Sequence, residues 1–440
     1  MHPPNRVPVD LAWLVVLRVA AGLGALVVPP LFWRWPHLFD GFLSSGIQIP
    51  YPLLYWIVPL PGFGMRLLLL LCMIAGLAVI LGLCYRIAAL VLFAILSYHF
   101  LLDSSYYQST TYLLVLLTGL LALSPAHHLL AFDAQRIPPA QRGRSSGLFL
   151  ALFRFQLAAV YFFAGIAKLD ADWLAGHTLS VMVPQQRLVA MSSSLLSPHG
   201  AAVVMSWLGL WFDLLIAPGL LLRRTRTFAI GALLLFHLHN AHTFRLAHLP
   251  WGMLFLATVF LEPDWPRRLL KYTPNWLKLP PSPPFRATPR WAVVVAVLYC
   301  AVQTAVPLRK WFYPGNAYFT ECGFPFSWAM RSRVKSSFTQ LLIVDKQTGQ
   351  KELIPLSRGM HNMQARRAQG DPHAIWWLSQ QLATQARRSG RHIAVYARSE
   401  VTLNGSPFTP FVAPDVDLSQ ADFPLLGVPS WLTLQPLPRK

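Results

Sequence analysis

Apolar stretches long enough to cross a lipid bilayer as helices recur along most of this chain. A transmembrane helix needs about 20 predominantly apolar residues, because the hydrocarbon core of a bilayer is about 30 Å thick. Candidate stretches lie at residues 11–33, 65–83, 86–102, 109–125, 147–168, 201–222, 227–244, 251–262 and 291–308. The sequence therefore predicts an α-helical integral membrane protein with about nine transmembrane helices.

The composition agrees with a membrane protein. Of the 440 residues, 55% are hydrophobic and only 12% are charged, whereas soluble proteins carry about 25% charged residues. The mean hydropathy is +0.45. The formal net charge is +20, but the basic residues lie in short clusters between apolar stretches. This pattern indicates orientation in a lipid bilayer, and we expect no binding to nucleic acid.

The composition changes after Arg309, where polar residues become dominant. Two segments with alternating apolar residues, QLLIVD at 340–345 and HIAVYA at 392–397, predict strands. The pattern over residues 361–389 predicts a helix. We therefore expect residues 309–440 to form an extramembrane α+β domain.

The preceding transmembrane domain, residues 1–308, contains a Pro-rich basic linker at 273–290 before its last predicted helix. Its basic residues lie in alternate loops, represented by Arg86, Arg136, Arg142, Arg144, Arg223, Arg224, Arg226, Arg267, Arg268 and Lys271. Loops rich in Lys and Arg remain on the cytoplasmic side of a membrane. We thus expect these loops and the N-terminus to be cytoplasmic.

The other loops must then face outward. They include residues 103–110, the segment around Lys168, and a histidine-rich stretch at 237–248. An odd number of transmembrane helices places the C-terminal domain on the same side. We therefore predict a protein of the inner (plasma) membrane, with these residues and the C-terminal domain on the periplasmic or extracytoplasmic side.

Lys168 stands at the end of an apolar stretch, in the segment AGIAKLDADWLAG at 164–176. It could extend to the membrane interface, or it could pair with Asp172 one helical turn later. Alternatively, it could act as a base, since burial disfavours the charged form of an amine. Ionisable residues within a membrane domain are candidates for function by default.

The segment FHLHNAHTF places His237 and Asn240 at the outward end of the seventh predicted helix. Three histidines occur there, but their spacing does not place them all on one helix face, and no carboxylate accompanies them. We therefore predict no metal site. A histidine–asparagine pair that lines a polar pocket and a simple interfacial cluster both remain open.

Four further polar residues lie inside apolar stretches: Arg18, Arg154, Gln156 and Asp213. Polar groups at such positions are costly, and they usually face the interior of the helix bundle. We expect them to pair with one another and to hold the bundle together, so that Asp213 has a structural role.

Several separated motifs resemble the vitamin K-dependent gamma-glutamyl carboxylase family, which includes bacterial homologues with the same transmembrane domain. The motifs are YFFAGIAKLDADWLAG at 161–176, LGLCYRI at 81–87, FLLD at 100–103, FHLHN at 236–240, EPDWPRRL at 262–269, FPFSWAM at 324–330 and DPHAIWWL at 371–378. They occur in the family's order and cover nearly the whole chain. The resemblance also implies a nine-helix bundle with an exoplasmic domain.

The resemblance implies a specific activity. In this family, vitamin K hydroquinone reacts with O2 and leaves as an epoxide, while a protein glutamate loses a γ-proton and gains CO2. The lysine that precedes LDADW is the base, which corresponds to Lys168 here, and the histidine of FHxxN corresponds to His237, with Asn240 beside it. The cofactor would be vitamin K hydroquinone or another reduced lipid quinone, with O2 and CO2 as co-substrates and no metal.

Further roles complete the predicted site. Trp328, Arg331 and Arg333 would bind a Glu-containing peptide or protein, since a basic rim suits an acidic substrate. Met330 and Thr110 would lie at the quinone. Three further residues would have structural roles at the helix end, namely Asp170, Asp172 and Trp173.

Two alternatives remain open, and a departure from the family at Thr110 favours the first of them. Thr110 stands where animal enzymes carry a histidine that supports the base, and a hydroxyl cannot store a proton near neutral pH. One alternative is a quinol epoxidase or oxygenase without protein carboxylation. The other is a non-enzymatic quinone-binding or immunity protein on the same scaffold.

Overall fold

The computed structural model describes residues 8–34, 46–138, 144–192, 196–244, 249–269 and 288–438. Helices lie at the predicted apolar stretches. The first five are α1 (Ala12–Arg34), α2 (Gly62–Leu81), α3 (Tyr85–Leu101), α4 (Ser109–Leu123) and α5 (Leu148–Ile166). A short antiparallel ribbon joins β1 (Pro8–Asp10) to β2 (Arg144–Ser146).

Three short helices follow α5 before the next long one. They are α6 (Ala171–Leu174), α7 (His177–Met182) and α8 (Gln185–Met191). The remaining helices of the apolar part are α9 (Pro198–Leu221), α10 (Arg226–Phe244), α11 (Leu249–Ala257), α12 (Trp265–Leu269) and α13 (Arg290–Leu308).

The chain is thus mostly helical, and four described helices are long and apolar enough to cross a membrane. They are Phe63–Leu81, Leu148–Ile166, Pro198–Leu221 and Arg290–Phe312. Shorter apolar helices lie at Ala12–Val27, Tyr85–Leu101, Ser109–Leu123 and Pro250–Phe260. The prediction of a helical membrane protein is therefore confirmed, with four described helices long enough to cross a bilayer.

Helices α5 and α9 approach each other closely at Gly165. A Cβ atom on Gly165 would lie 2.7 Å from Leu214 Cδ2 and 3.1 Å from the Leu214 backbone nitrogen. A side chain at this position would force Leu214 to shift, so glycine allows the two helices to lie this close. The contact brings the end of α5 next to the middle of α9.

Two arginines inside apolar helices bind backbone carbonyl groups rather than the other polar side chains. Arg18 donates to the carbonyl oxygens of Ala126 and Leu129 at 2.7 and 3.1 Å. Arg154 donates to those of Val259 and Leu261 at 3.0 and 2.9 Å. The expectation that the buried polar residues pair with one another is therefore wrong for these two.

The C-terminal part contains a four-stranded antiparallel sheet in the order β4-β3-β5-β6. Its strands are β3 (Lys335–Asp345), β4 (Lys351–Pro355), β5 (Ile393–Leu403) and β6 (Thr409–Pro410). Both predicted strands are confirmed, as parts of β3 and β5. The helices of this part are α14 (Ala317–Thr320), α15 (Asn362–Ala368) and α16 (Pro372–Arg388).

The single helix predicted over residues 361–389 is in fact two, α15 and α16. Pro372 occupies the first turn of α16, and Asp371 caps that helix by accepting hydrogen bonds from the backbone nitrogens of His373 and Ala374 at 2.8 and 3.3 Å. Proline is favoured at the start of a helix but disfavours helical conformation in the residue before it. The chain therefore breaks at Asp371.

The C-terminal sheet region packs against the loops at one end of the helix bundle. Gln364 Nε2 donates to Asp103 Oδ2 at 2.8 Å, and the Phe326 backbone nitrogen donates to Tyr107 Oη at 2.8 Å. These contacts involve the loop at residues 103–110, which the distribution of Lys and Arg residues predicts to face outward. The boundary between the two predicted domains stays a prediction, and most of the predicted linker, 273–290, lies outside the described residues.

Candidate functional site

A cavity of about 890 Å³ lies among α5, α9, α10 and α11 and reaches the segment that follows α14. Many of the residues predicted from the sequence line it, namely Lys168, Trp173, Asp213, His237, Asn240, Met330 and Arg331. These residues are widely separated in sequence. The fold therefore brings most of the predicted site residues to one place.

The walls of the cavity are largely apolar. Phe212 of α9 stacks on Phe236 of α10 with ring centroids 3.6 Å apart, and Met205 and Met253 also line it. Phe228, another lining residue, is exposed on the outer surface of α10. An apolar cavity with a few polar groups suits a mainly apolar ligand that carries a small polar head.

Lys168 lies in the turn directly after α5 and points into the protein. Its Nζ forms an ion pair with Asp213 Oδ2, and both side chains are almost fully buried, at 7% and 6% exposure. It also donates to the Ala164 carbonyl oxygen at 3.3 Å and lies 5.1 Å from the Trp173 ring centroid. Lys168 therefore neither reaches the interface nor pairs with Asp172, which were the two other interpretations of its position.

A buried lysine–carboxylate pair can exchange a proton. Removal from water disfavours both charges, so the ionic pair and the neutral amine–acid pair are closer in free energy than they are in solution. The two forms differ only in the position of one proton, which lies on the Lys168 amine in the ionic form and on the Asp213 carboxyl group in the neutral form.

Tyr161 and His237 form a second polar pair in the cavity. The Tyr161 hydroxyl lies 3.1 Å from His237 Nε2, and both side chains are buried. Sequence reasoning missed Tyr161. The signal that could have found it is spacing, because in the helix predicted over residues 147–168 Tyr161 precedes Lys168 by about two turns and would lie on the same face.

The segment that follows Lys168 is tightly fixed. Asp170 Oδ1 accepts from the Asp172 backbone nitrogen at 3.0 Å and caps α6. Trp173 Nε1 donates to the Ser206 carbonyl oxygen of α9 at 2.9 Å. Asp172 Oδ2 accepts from Asn404 Nδ2, in the C-terminal region, at 3.0 Å. The predicted structural residues thus shape the turn that presents Lys168.

Three predicted residues lie elsewhere among the described residues. Thr110 is half-buried in the first turn of α4. Trp328 is fully buried and stacks on Tyr112, with ring centroids 4.9 Å apart. Arg333 forms an ion pair with Glu321, at 2.6 Å. These three are not among the residues that line the cavity.

The two predicted arginines therefore differ. Arg331 lines the cavity and is exposed, with its guanidinium 5.2 Å from the Phe244 ring centroid at the end of α10. Arg333 is held inside the C-terminal region by Glu321. Within the described parts of the chain, no three His, Cys, Asp or Glu side chains are grouped in a way that could hold a metal ion.

Two family models match this chain. The HTTM domain matches residues 6–265, which makes this an HTTM-domain membrane protein. The lumenal domain of vitamin K-dependent gamma-carboxylase matches residues 288–437. The chain belongs to the vitamin K-dependent gamma-carboxylase family, as the sequence motifs indicated. No solved structure matches it.

Membership in this family makes the C-terminal sheet region a domain of the lumenal type joined to a membrane domain. The end of the bundle that this region contacts is also the end at which Lys168 lies. The Tyr318 hydroxyl donates to the Ala167 carbonyl oxygen at 2.6 Å, one residue before Lys168.

Proposed function

We propose that this protein is a vitamin K-dependent gamma-carboxylase-like enzyme, which couples oxidation of a reduced quinone by O2 to addition of CO2 at a protein glutamate. The observation that carries the proposal is the buried Lys168–Asp213 pair at an apolar cavity. The chain that contains the pair matches both the HTTM domain and the carboxylase lumenal domain. As a class, the proposed enzyme is a carbon–carbon lyase or carboxylase.

The cavity fits a lipid quinone. Its volume of about 890 Å³ lies within the range of ligand pockets, roughly 300–1,000 Å³. Aromatic and methionine side chains suit an isoprenoid tail, while His237, Asn240 and Met330 would hold the polar ring. A reduced quinone bound there, oxidised by O2, would supply the strong base that removes the γ-proton of a glutamate.

Lys168 would remove the proton that starts this chemistry. The Lys168–Asp213 pair holds one shared proton before the reaction and would hold two afterwards, as an ammonium beside a neutral carboxylic acid. Because Asp213 takes part in this exchange, its role would extend beyond the structural one predicted from the sequence. General bases of this kind contribute roughly 100-fold to 10,000-fold to a rate.

Tyr161 would hold the ring of His237. A hydrogen bond at Nε2 fixes which nitrogen carries the proton and how the imidazole is turned. The apolar walls would keep water away from the proton-transfer groups, which strengthens each electrostatic contact in the cavity.

Arg331 would bind the carboxylate of the glutamate substrate. It is exposed and lies at the cavity, so it is accessible both to the cavity and to a protein arriving from outside. A guanidinium can bind a carboxylate through two parallel hydrogen bonds. Arg333 and Trp328 would instead support the substrate surface from within the C-terminal region.

The proposed topology has nine transmembrane helices, with the C-terminal domain and the cavity on the extracytoplasmic side of the inner membrane. It is supported by the four long apolar helices and by the four shorter apolar helices, of which one precedes the long ones and three lie between them. It is also supported by the charge of the intervening loops, since Lys- and Arg-rich loops stay in the cytoplasm.

A single assay tests the proposal. The protein in lipid nanodiscs is incubated with vitamin K hydroquinone, labelled bicarbonate and a glutamate-rich peptide, and both quinone epoxide and carboxylated glutamate are measured. A peptide with glutamine in place of glutamate is the control. We expect both products with the first peptide and no label in the second.

The other outcomes contradict the proposal in different ways. Epoxide without carboxylated peptide would indicate a quinol epoxidase, the alternative that Thr110 keeps open. Neither product would indicate a non-enzymatic quinone-binding or immunity protein on this scaffold.

A further inference from the structure

Two polar contacts join the C-terminal region to the short segment that carries Lys168. The Tyr318 hydroxyl donates to the Ala167 carbonyl oxygen at 2.6 Å. Asn404 Nδ2 donates to Asp172 Oδ2 at 3.0 Å. One contact precedes Lys168 by a single residue, and the other follows it by four. The C-terminal region therefore forms hydrogen bonds with this segment on both sides of Lys168.

Asn404 is rigidly held where it makes its contact. It lies in the turn after β5 with a φ of 52°, the left-handed conformation that asparagine tolerates better than most residues. Its backbone nitrogen donates to the Val334 carbonyl oxygen at 2.7 Å, and its Oδ1 accepts from the Val334 nitrogen at 2.8 Å. Asn404 is buried, and because its Oδ1 accepts from the Val334 nitrogen, its Nδ2 is directed towards Asp172.

Tyr318 is held equally well. Asn316 caps the turn at its backbone nitrogen, at 2.9 Å, and Lys310 Nζ donates to its hydroxyl oxygen at 3.2 Å. Burial raises the pKa of Tyr318, so the hydroxyl keeps its proton and remains a donor to the Ala167 carbonyl oxygen. The contact with the segment before Lys168 is therefore not lost by ionisation of Tyr318 at physiological pH.

We infer that Tyr318 and Asn404 are positioning residues, through which the C-terminal region sets the Lys168 amine against Asp213. The physical reason is that α5 ends at Ile166, so beyond it the backbone keeps only single-turn hydrogen bonds, from the Lys168 nitrogen to the Gly165 carbonyl oxygen at 2.9 Å and from the Leu169 nitrogen to the Ile166 carbonyl oxygen at 3.2 Å. A proton-transfer group must be held to within about half an ångström to act well. This inference rests on the proposed role of Lys168 as a base.

The contact between Asn404 and Asp172 is tested by exchanging the amide and the carboxylate between these two positions. Asn404→Asp faces Asp172 with a second carboxylate, which repels it. Asp172→Asn alone keeps a hydrogen bond between two amides. The combination Asp172→Asn with Asn404→Asp restores an amide–carboxylate pair with the donor and acceptor interchanged. The control is Asn362→Asp, the same chemical change at an exposed position of the same region.

Two measurements are made on each variant in nanodiscs. One is kcat and KM for epoxide formation from the hydroquinone. The other is the rate at which a small amine-reactive reagent labels Lys168, mapped by mass spectrometry, which needs no bound quinone and no turnover. Thermal unfolding is recorded for every variant, so that measurements are made on folded protein.

We expect Asn404→Asp to lower kcat about tenfold, the effect of losing a hydrogen bond to a charged group, with little change in KM. Labelling of Lys168 should become severalfold faster. The double variant should recover both quantities to within about twofold, because the pair is restored. Asn362→Asp should match the wild type.

The second contact has its own variant. Tyr318→Phe removes only the hydroxyl and should likewise speed the labelling of Lys168 and lower kcat. Its control is Tyr396→Phe, at a position of β5 paired with Leu342 in the sheet.

The outcomes separate this inference from the function on which it rests. Unchanged kcat and labelling in both Asn404→Asp and Tyr318→Phe would overturn the inference and leave the proposed function intact. So would a double variant that stays as impaired as Asn404→Asp. If labelling follows the expected pattern but the wild type forms no epoxide, the proposed function fails while the coupling of Lys168 to the C-terminal region is supported.

Discussion

Lys168 and Asp213 form a buried ion pair although 45 residues separate them in the chain. The pair depends on the close approach of α5 and α9 at Gly165, where a larger side chain would collide with Leu214. Lys168 also donates to the Ala164 carbonyl oxygen and lies 5.1 Å from the Trp173 ring centroid, and Asp213 is the carboxylate with which it pairs. The packing of α5 against α9 therefore also brings together the Lys168–Asp213 pair.

The first prediction concerns the stability of this pair. Lys168→Ala leaves the Asp213 carboxylate buried without its partner, which should lower the free energy of unfolding by about 3–5 kcal/mol. Adding Asp213→Asn removes the uncompensated charge and should recover most of that loss without recovering activity. Thermal unfolding in nanodiscs checks this. Equal stability of Lys168→Ala and the wild type would contradict the buried pair.

The second prediction concerns Tyr161 and His237, whose polar atoms lie 3.1 Å apart. Tyr161→Phe keeps the ring and removes the hydroxyl, so it should reduce kcat/KM for the quinol modestly, by about 1 kcal/mol of transition-state free energy. In the His237→Ala background the same change should have no further effect. Steady-state kinetics of the two single variants and the double variant measure this coupling, and simple additivity would contradict it.

The third prediction separates the two arginines. Arg331→Gln should raise KM for the glutamate peptide while stability is unchanged, because the side chain is exposed at the cavity. Arg333→Gln removes the 2.6 Å partner of the half-buried Glu321 carboxylate and should instead lower the unfolding temperature. Peptide-dependent kinetics and thermal unfolding, measured on both variants, check the distinction. A reversal of the two effects would show that the assignment is wrong.

The fourth prediction concerns pH. Burial and the nearby Glu321 carboxylate raise the pKa of Asp371 from 3.8 to about 6. The folded protein therefore binds this proton more tightly than the unfolded chain does. The resulting stability is fully present below about pH 4 and is lost as the pH rises through about 6.

Asp371→Asn isolates that contribution, since asparagine also caps a helix but does not titrate. The unfolding temperature of the wild type relative to this variant should fall between pH 4 and pH 7. Groups that do not interact with Asp371 titrate alike in both proteins and cancel in the difference, whereas Glu321 and Lys335 are coupled to Asp371 and contribute to it. A difference that rises with pH would contradict a raised pKa.

Much of the fold could be predicted because its signals are local. Apolar stretches of sufficient length gave the helices, and alternation gave β3 and β5. The break in the helix predicted at 361–389 also has a local signal, the Asp371–Pro372 pair. The resemblance in the segment around Lys168 identified the family.

The partners within the site could not be predicted, because they depend on which helices meet. Asp213 was recognised as a costly polar residue, yet nothing in its own stretch indicates that it faces α5 rather than another helix. The same holds for Arg333, whose neighbour Arg331 has the same side chain but a different environment. Asn404 carries no motif, and only the packing of the C-terminal region brings it to Asp172.

The central claim is that Lys168 is the base that starts quinol oxidation. The most direct measurement is epoxide formation from vitamin K hydroquinone and O2 by the wild type, Lys168→Ala and Asn362→Asp in nanodiscs, below the unfolding temperature of each. We predict epoxide from the wild type and from Asn362→Asp, and at least about a hundredfold less from Lys168→Ala. Epoxide formation by folded Lys168→Ala at the wild-type rate would contradict the account.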